Sequence, residues 1–279
     1  MIVAKFNSVG ELSKRLANAT PTNTFKNASK TGSYSTTDSY KKWSKTATYE
    51  EADELLLYGD KSLQAKIENA GVRDMRLKLS MNGQRRQLYS SVVGFAPNVP
   101  AYVAGTPNSM INVRTVKTKQ RVISVLYNTS VSARVSADEI IRVAAKMISA
   151  IMLIESNGVR VNLYSGNLSQ EFGSSVGNAF VSIYRIKDSG QQIDTLKMAY
   201  PLAHPSMLRR HGFRVLETTE GVPSTFTSAY GYPLKDESKA LELLKMAGEK
   251  NIDVVLCYYD ISKCETPQEV AELIMNYNK

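Results

Sequence analysis

The residues best placed for chemistry stand in one short loop, Asn128-Thr129-Ser130-Val131-Ser132, directly after an apolar run. An amide and two hydroxyls at alternating positions offer neutral oxygens. A hard divalent cation such as Mg²⁺ accepts these when carboxylates complete its near-octahedral shell. Thr219-Glu220-Gly221 offers one such carboxylate further along the chain. Other chemistry is thin. His204 and His211, within "HPSMLRRHG", have no cysteine nearby and no HExxH pattern, so they signal zinc weakly and are expected at the surface or at a helix end. "EFGSSVG" at 171–177 lacks the lysine and the spacing of a phosphate loop. Two histidines also leave few ways to build a Ser/His/acid arrangement. Asp53 and Asp60 read as a solvated helix face. A non-enzymatic protein without a cofactor is expected.

Charge suggests a different class of partner. Net charge is +9; residues 1–120 hold 18 Lys/Arg against 9 Asp/Glu, while residues 121–279 hold 17 of each, so the whole excess is N-terminal. Tyr34, Tyr40, Trp43 and Tyr89 are interleaved with Lys41, Lys42, Lys45, Arg85 and Arg86, a mixture that suits base stacking plus phosphate contact. Lys117 and Lys119 add to it, although basic pairs are common on solvated surfaces. No apolar run reaches 18 residues and no secretory signal opens the chain, so no membrane partner is expected. Cys257 sits in an apolar run as a core thiol. Two cysteines make no disulfide framework, which points to a reducing cytoplasm.

The elements that must position these residues change character along the chain. Ser8 and Glu11 open a short helix with Leu12 and Leu16 one turn apart. Residues 1–48 otherwise read as a basic Ser/Thr/Asn-rich arm, partly irregular. Residues 49–118 form an α+β region: a helix capped by Thr48 and ended by Gly59, then strand-like alternation over Met75–Leu79 and Val113–Val116 around the rigid connection Gly94–Pro100. Residues 119–279 alternate strands with helices. Strands are expected at Arg121–Tyr127, Val159–Tyr164, Ala179–Tyr184, Phe213–Leu216 and Ile252–Tyr259. Helices are expected from Ser136 to Gly158, around Ile193–Tyr200, over Ser238–Ala247 and from Thr266. That order implies an α/β fold with a mainly parallel central sheet covered by helices on both faces, a Rossmann-like layering. Ligands of such sheets bind at the carboxyl ends of the strands.

The loop at 128–132, between an apolar strand and a long helix and followed by the strand "NGVRVNLYSG", resembles the von Willebrand factor A family. That family's metal-ion-dependent adhesion site opens with Asp-x-Ser-x-Ser, and Thr219-Glu220-Gly221 is similar to its Thr-Asp-Gly. Asn128 stands where the family has its first aspartate and Glu220 where it has its second; Gln191 or Gln192 stands near the place of its threonine. The resemblance implies a degenerate site with Ser130, Ser132 and Glu220 as weak metal candidates, short of one charge at Asn128. Mg²⁺ is not expected to stabilise the chain, and Asn128→Asp is expected to gain Mg²⁺ binding if Glu220 is close enough.

"TATYEEADELLLYGD" and "VVGFAPNVPAYVAGTPNSM" resemble an uncharacterised family of proteins encoded by tailed bacteriophages and prophages, from about Thr46 to the C-terminus. This implies a viral protein in the cytoplasm of an infected bacterium. The expected function is capture of a host or phage protein through the strand-end loops 128–136, 165–178 and 217–233, with Asn128, Ser130, Ser132, Thr219 and Glu220 as contacts. Pairing with an AAA+ ATPase of the MoxR type is implied by the A-domain resemblance; a host defence or replication protein, or another copy of this chain, is an equal alternative. The alternative is nucleic-acid association through Lys41, Lys42, Trp43, Lys45, Arg85 and Arg86.

Overall fold

The computed structural model describes residues 1–26, 32–69, 84–117, 121–171, 179–227, 230–234 and 236–277, with the side chains of 84–86, 115–117 and 237 outside that description. The strands are β1 (Ile2–Phe6), β2 (Gln84–Ser91), β3 (Ala96–Pro97), β4 (Met110–Lys117), β5 (Val122–Asn128), β6 (Arg160–Gln170), β7 (Ala179–Lys187), β8 (Tyr232–Pro233) and β9 (Val254–Cys257). They form a six-stranded sheet ordered β1-β7-β6-β5-β9, with β8 beside β6, and a three-stranded sheet ordered β2-β4-β3.

β5 is an interior strand of the large sheet, between β6 and β9, because both its faces are covered: Ile123 to Asn128 are all buried. It runs parallel to β6 and to β9, and β1 runs parallel to β7; the β6–β7 and β6–β8 pairs are antiparallel. The sheet is therefore mostly parallel, as its alternating pattern predicts. Tyr127, Val125, Val161 and Leu163 pack on one face against the helices Ala137–Ser156, Thr195–Ala203 and Pro267–Asn276. Leu126, Leu168, Val181 and Val255 pack on the other against the helix Glu237–Met246. Each fully buried aliphatic side chain contributes about 1.5–3 kcal/mol.

The long helix starts where its cap lies, with Ser136 accepting from the Glu139 amide at 3.2 Å, and stops at Gly158, whose φ of +84° an L side chain would resist. Thr48 and Thr266 cap the helices Tyr49–Tyr58 and Pro267–Asn276 in the same way. Asp60 is a helix cap too, not part of a solvated face, for it accepts from the amides of Ser62 and Leu63.

Three features depart from the sequence reading. Phe213–Leu216 is helical, not a strand. The helix Thr195–Ala203 breaks at His204, and a buried π-helical turn, Met207–Gly212, then leads into the helix Phe213–Thr218. A short run buried all round has no period that separates strand from helix. β1 has no place in the expected elements, yet it forms an edge of the central sheet. The stretch after it is held inside the fold: Ser33, Ser35, Ser44 and Thr46 are buried, and the helix Asp38–Ser44 is capped by Thr37.

The small sheet pairs β2 with β4 over their whole lengths, and Val113–Val116 belongs to β4. The Met75–Leu79 alternation lies outside the described residues. No described side chain between 87 and 114 is buried; Val92, Val93, Phe95, Tyr102 and Val103 all face outward.

Candidate functional site at the strand ends

Asn128 ends β5 and is fully buried. Its Oδ1 accepts from the amides of Ser130 (3.1 Å) and Leu168 (3.0 Å), and its Nδ2 donates to the Leu234 carbonyl (3.1 Å). The amide thus ties three chain segments and has no oxygen left for a metal or a partner. Ser130, also buried, donates its hydroxyl to Asn167 Oδ1. Ser132 is half-buried and reaches the surface.

Thr219 and Glu220 are not brought to this loop. Thr219 is buried at the end of the helix Phe213–Thr218, its hydroxyl donating to the Val215 carbonyl at 2.6 Å. Glu220 is exposed beside Gly221, which lies against Ile2 at the start of β1. β7 and β6 stand between β1 and β5, a lateral separation of about 14 Å at ordinary strand spacing. Gln191 is further still: its carbonyl accepts from Arg160 at the start of β6, at the opposite end of the sheet. Among the described residues, no three His, Cys, Asp or Glu side chains group as metal ligands. Residues 172–178 of the expected 165–178 loop lie outside the described residues.

What the strand ends do form is a cleft of about 480 Å³. Its floor is Asn167 and Ser169 of β6, on the face that nearer the strand's start carries Val161 and Leu163. Asn167 and Ser169 are buried, yet Asn167 Nδ2 and Ser169 Oγ have no hydrogen-bond partner among the described residues. Gly212 of the π-turn packs close to this Nδ2, for a Cβ there would sit 3.4 Å from it. A wall of rings rises beside this floor. Tyr40 meets Trp43 edge-on at 5.4 Å, Trp43 leans on Phe213 at 5.9 Å, and Phe213 stacks on Tyr230 at 4.0 Å. Ser132 and Tyr232 line the cleft where it reaches solvent.

Buried charges behind the wall hold it in place. Arg209 stacks over Trp43 at 4.3 Å and donates to the Trp43 carbonyl; burial lowers its guanidinium to about 10, still charged at neutral pH. Arg210, wholly buried, donates to the Thr46 hydroxyl (2.6 Å) and to the carbonyls of Thr46 (2.9 Å) and Ser33 (2.9 Å). Glu217 accepts from Ser33 and from the Tyr230 hydroxyl (2.8 Å), and burial followed by this carboxylate raises the Tyr230 pKa.

Both histidines are buried, against the expectation of surface roles. His204 does end a helix, and burial lowers it to about 4. His211 lies between Tyr200 (3.2 Å) and Asp53 (3.3 Å). Asp53 is therefore not simply solvated: burial pushes its carboxyl up, but hydrogen bonds from His211 and Ser13 outweigh this and hold it below the usual range.

Of the nucleic-acid candidates, Lys42 and Lys45 are exposed, Lys41 pairs with Asp38 at 3.7 Å, and Trp43 belongs to the cleft wall. Arg85 and Arg86 stand on β2 opposite Val116 and Thr115, their side chains outside the described residues. Asn167 and Ser169 fall within the expected 165–178 loop, but residues 165–170 are the end of β6, and neither these two nor the π-turn arginines are singled out by the sequence. Their one legible signal is the alternation Ser-x-Asn-x-Ser in a strand that is otherwise apolar on that face.

A family model described as a domain of unknown function, DUF7192, matches residues 1–272. No curated protein and no solved structure matches the chain.

Proposed function

The chain belongs to the DUF7192 family over residues 1–272, and on that footing we propose a non-enzymatic binding protein that holds a protein partner against the strand-end face of its sheet. One observation carries this reading: the aromatic-walled cleft opens on that face with polar atoms left unmatched on its floor. Concave, largely apolar surfaces with a few convergent polar groups are where proteins hold ligands and the anchor residues of partners. The resemblance to the A family supports it through the order apolar strand, x-Ser-x-Ser loop, long helix and adjacent parallel strand. In this reading Asn128 and Ser130 brace the face from within, while Ser132 and Tyr232 touch the partner. The setting is the cytoplasm of a phage-infected bacterium, and the partner is a host or phage protein, a second copy of this chain or an AAA+ ATPase. Among the described residues, no helix is long and apolar enough to cross a membrane.

The double variant Ser132→Arg/Tyr232→Asp alters only the rim. Affinity purification from infected cells, read by mass spectrometry, is expected to lose the partner recovered by the unaltered chain, about tenfold or more, at unchanged melting temperature. Equal recovery removes this face from consideration.

A second reading has its own support. Between residues 75 and 137 the sequence carries nine Lys/Arg and no Asp/Glu, and β2 and β4 fall within that stretch. Arg114 lies over the Tyr89 ring at 5.3 Å there, whereas Tyr34 and Tyr40 are engaged inside the fold. A nucleic-acid-binding ribbon predicts affinity for an RNA or DNA oligomer that falls steeply with salt, with the log–log slope reduced by roughly 2 in Arg114→Gln/Lys117→Gln. No binding at low salt would exclude it.

A further inference from the structure

We infer that the strand-end cleft is a binding site for a flat, uncharged ring with hydrogen-bonding atoms along one edge, the pattern of a nucleobase. The inference rests on the strand-end face being the binding face. About 480 Å³ is more than one amino-acid side chain fills and falls in the range of small-ligand sites.

Among the described residues, the lining contains no Asp, Glu, Lys, Arg or His, so none of them compensates a charged ligand. A cation is further disfavoured, because Arg209 already covers Trp43 and Arg210 lies 5.2 Å from the Tyr40 ring, placing two positive charges behind the wall. The rings Tyr40, Trp43, Phe213 and Tyr230 run on from one another, which offers π surface to a flat ligand.

The floor sets the edge. Asn167 Oδ1 is taken by the Ser130 hydroxyl, so the free Nδ2 needs an acceptor, while the free Ser169 Oγ takes either a donor or an acceptor. The two residues are two apart on one strand face, about 7 Å along it, a spacing that spans the edge of one heterocycle. A buried donor left unmatched costs roughly 1–3 kcal/mol, and a ligand that satisfies it recovers that in affinity. Among the described residues the cleft holds no charged acid, base or nucleophile, and the role we infer for it is recognition.

Trp43 is the chain's sole tryptophan and stands in the wall, so its fluorescence reports the cleft directly. The full chain is titrated separately with uridine, cytidine, adenosine and guanosine into the low millimolar range, with calorimetry alongside. At least one is expected to give a saturable change, weakened about tenfold by Ser169→Ala and by Asn167→Ala. Asn167→Ala also strands the Ser130 hydroxyl, so its melting temperature is checked. Ser169→Ala removes only an unmatched hydroxyl and is the variant on which the inference stands.

No saturable response to any nucleoside overturns the inference. So does a response that Ser169→Ala leaves unchanged, or an equal response to phenol (a ring without the edge) or to N-acetylglutaminamide (an amide without the ring). Rim variants test partner capture and floor variants test the ring. A failed titration beside intact rim-dependent capture therefore leaves the protein-partner reading in place, and the converse leaves only the small-ligand site.

Discussion

Replacing Arg210 with alanine is expected to lower the melting temperature by roughly 10 °C and to release the segment around residues 33–46 from the fold. Arg210 has no exposed surface, and its guanidinium is met by the hydroxyl and carbonyl of Thr46 and the carbonyl of Ser33, with the Ser35 carbonyl at 3.5 Å. These groups come from a stretch without an aliphatic side chain, so the arginine adds to the hold of the Tyr34, Tyr40 and Trp43 rings there. Truncation takes the donor from the buried Ser33 carbonyl, leaves the Thr46 carbonyl only the Ser44 hydroxyl at 3.2 Å, and opens a cavity; losses of this kind come to about 3–5 kcal/mol. Lysine has three donors on a narrow head and cannot span the same set, so Arg210→Lys is expected to recover less than half of the loss. Differential scanning calorimetry reads the global effect. Limited trypsin digestion reads the local one, through cleavage at Lys41, Lys42 and Lys45. An unchanged melting temperature with unchanged cleavage would mean that the arm is held by something else.

Asn128→Asp is expected to destabilise the protein by about 2–4 kcal/mol at pH 7 and to gain no Mg²⁺ binding, contrary to what the A-family resemblance alone implies. The carboxylate keeps the acceptor for Ser130 and Leu168 but turns its second oxygen toward the Leu234 carbonyl, 3.1 Å from the present amide nitrogen. Burial and that carbonyl disfavour the charged form, so the folded-state pKa of the new acid rises above the unfolded value of about 3.9. With the folded pKa raised, stability falls as pH climbs through the interval between the two values. The deficit relative to the unaltered chain is therefore expected to be smallest near pH 4 and largest above neutrality, where a protonated acid can no longer donate to Leu234. Glu220 stands beside β1 and cannot complete a metal shell at β5. Denaturant unfolding across pH, with and without millimolar Mg²⁺, checks both parts. A Mg²⁺-dependent rise in stability in this variant would restore the adhesion-site reading.

The local rules written in the sequence were enough for the strands β5, β6, β7 and β9 of the sheet and for most of its helices. Ser136 with Glu139, Thr48 with Glu51, Thr266 with Pro267 and the glycines at 59 and 158 act within one helical turn, so their partners lie a few residues away. The two-sided burial of β5 follows from an unbroken apolar run that only an interior strand accommodates. The Asn128-x-Ser130-x-Ser132 loop is legible at the same scale, and it does lie at the strand ends as expected.

Tertiary structure alone decided what those residues do. Asn128 reads as a ligand until Leu168 and Leu234, distant in sequence, arrive to take its oxygen and its nitrogen. Glu220 reads as its companion until the run Phe213–Leu216 proves helical, because its neighbours bury it on every side and no period distinguishes the two states. Asn167 and Ser169 read as ordinary polar residues of the 165–178 loop, yet they lie on β6; their significance comes from rings contributed by the segments around residues 43, 213 and 230 and from the polar atoms left unmatched beside them. Capping, turns and burial patterns depend on neighbours in sequence and can be read along the chain. A cleft depends on which side chains arrive from elsewhere and which donors remain free, and that is settled only when the packing is complete.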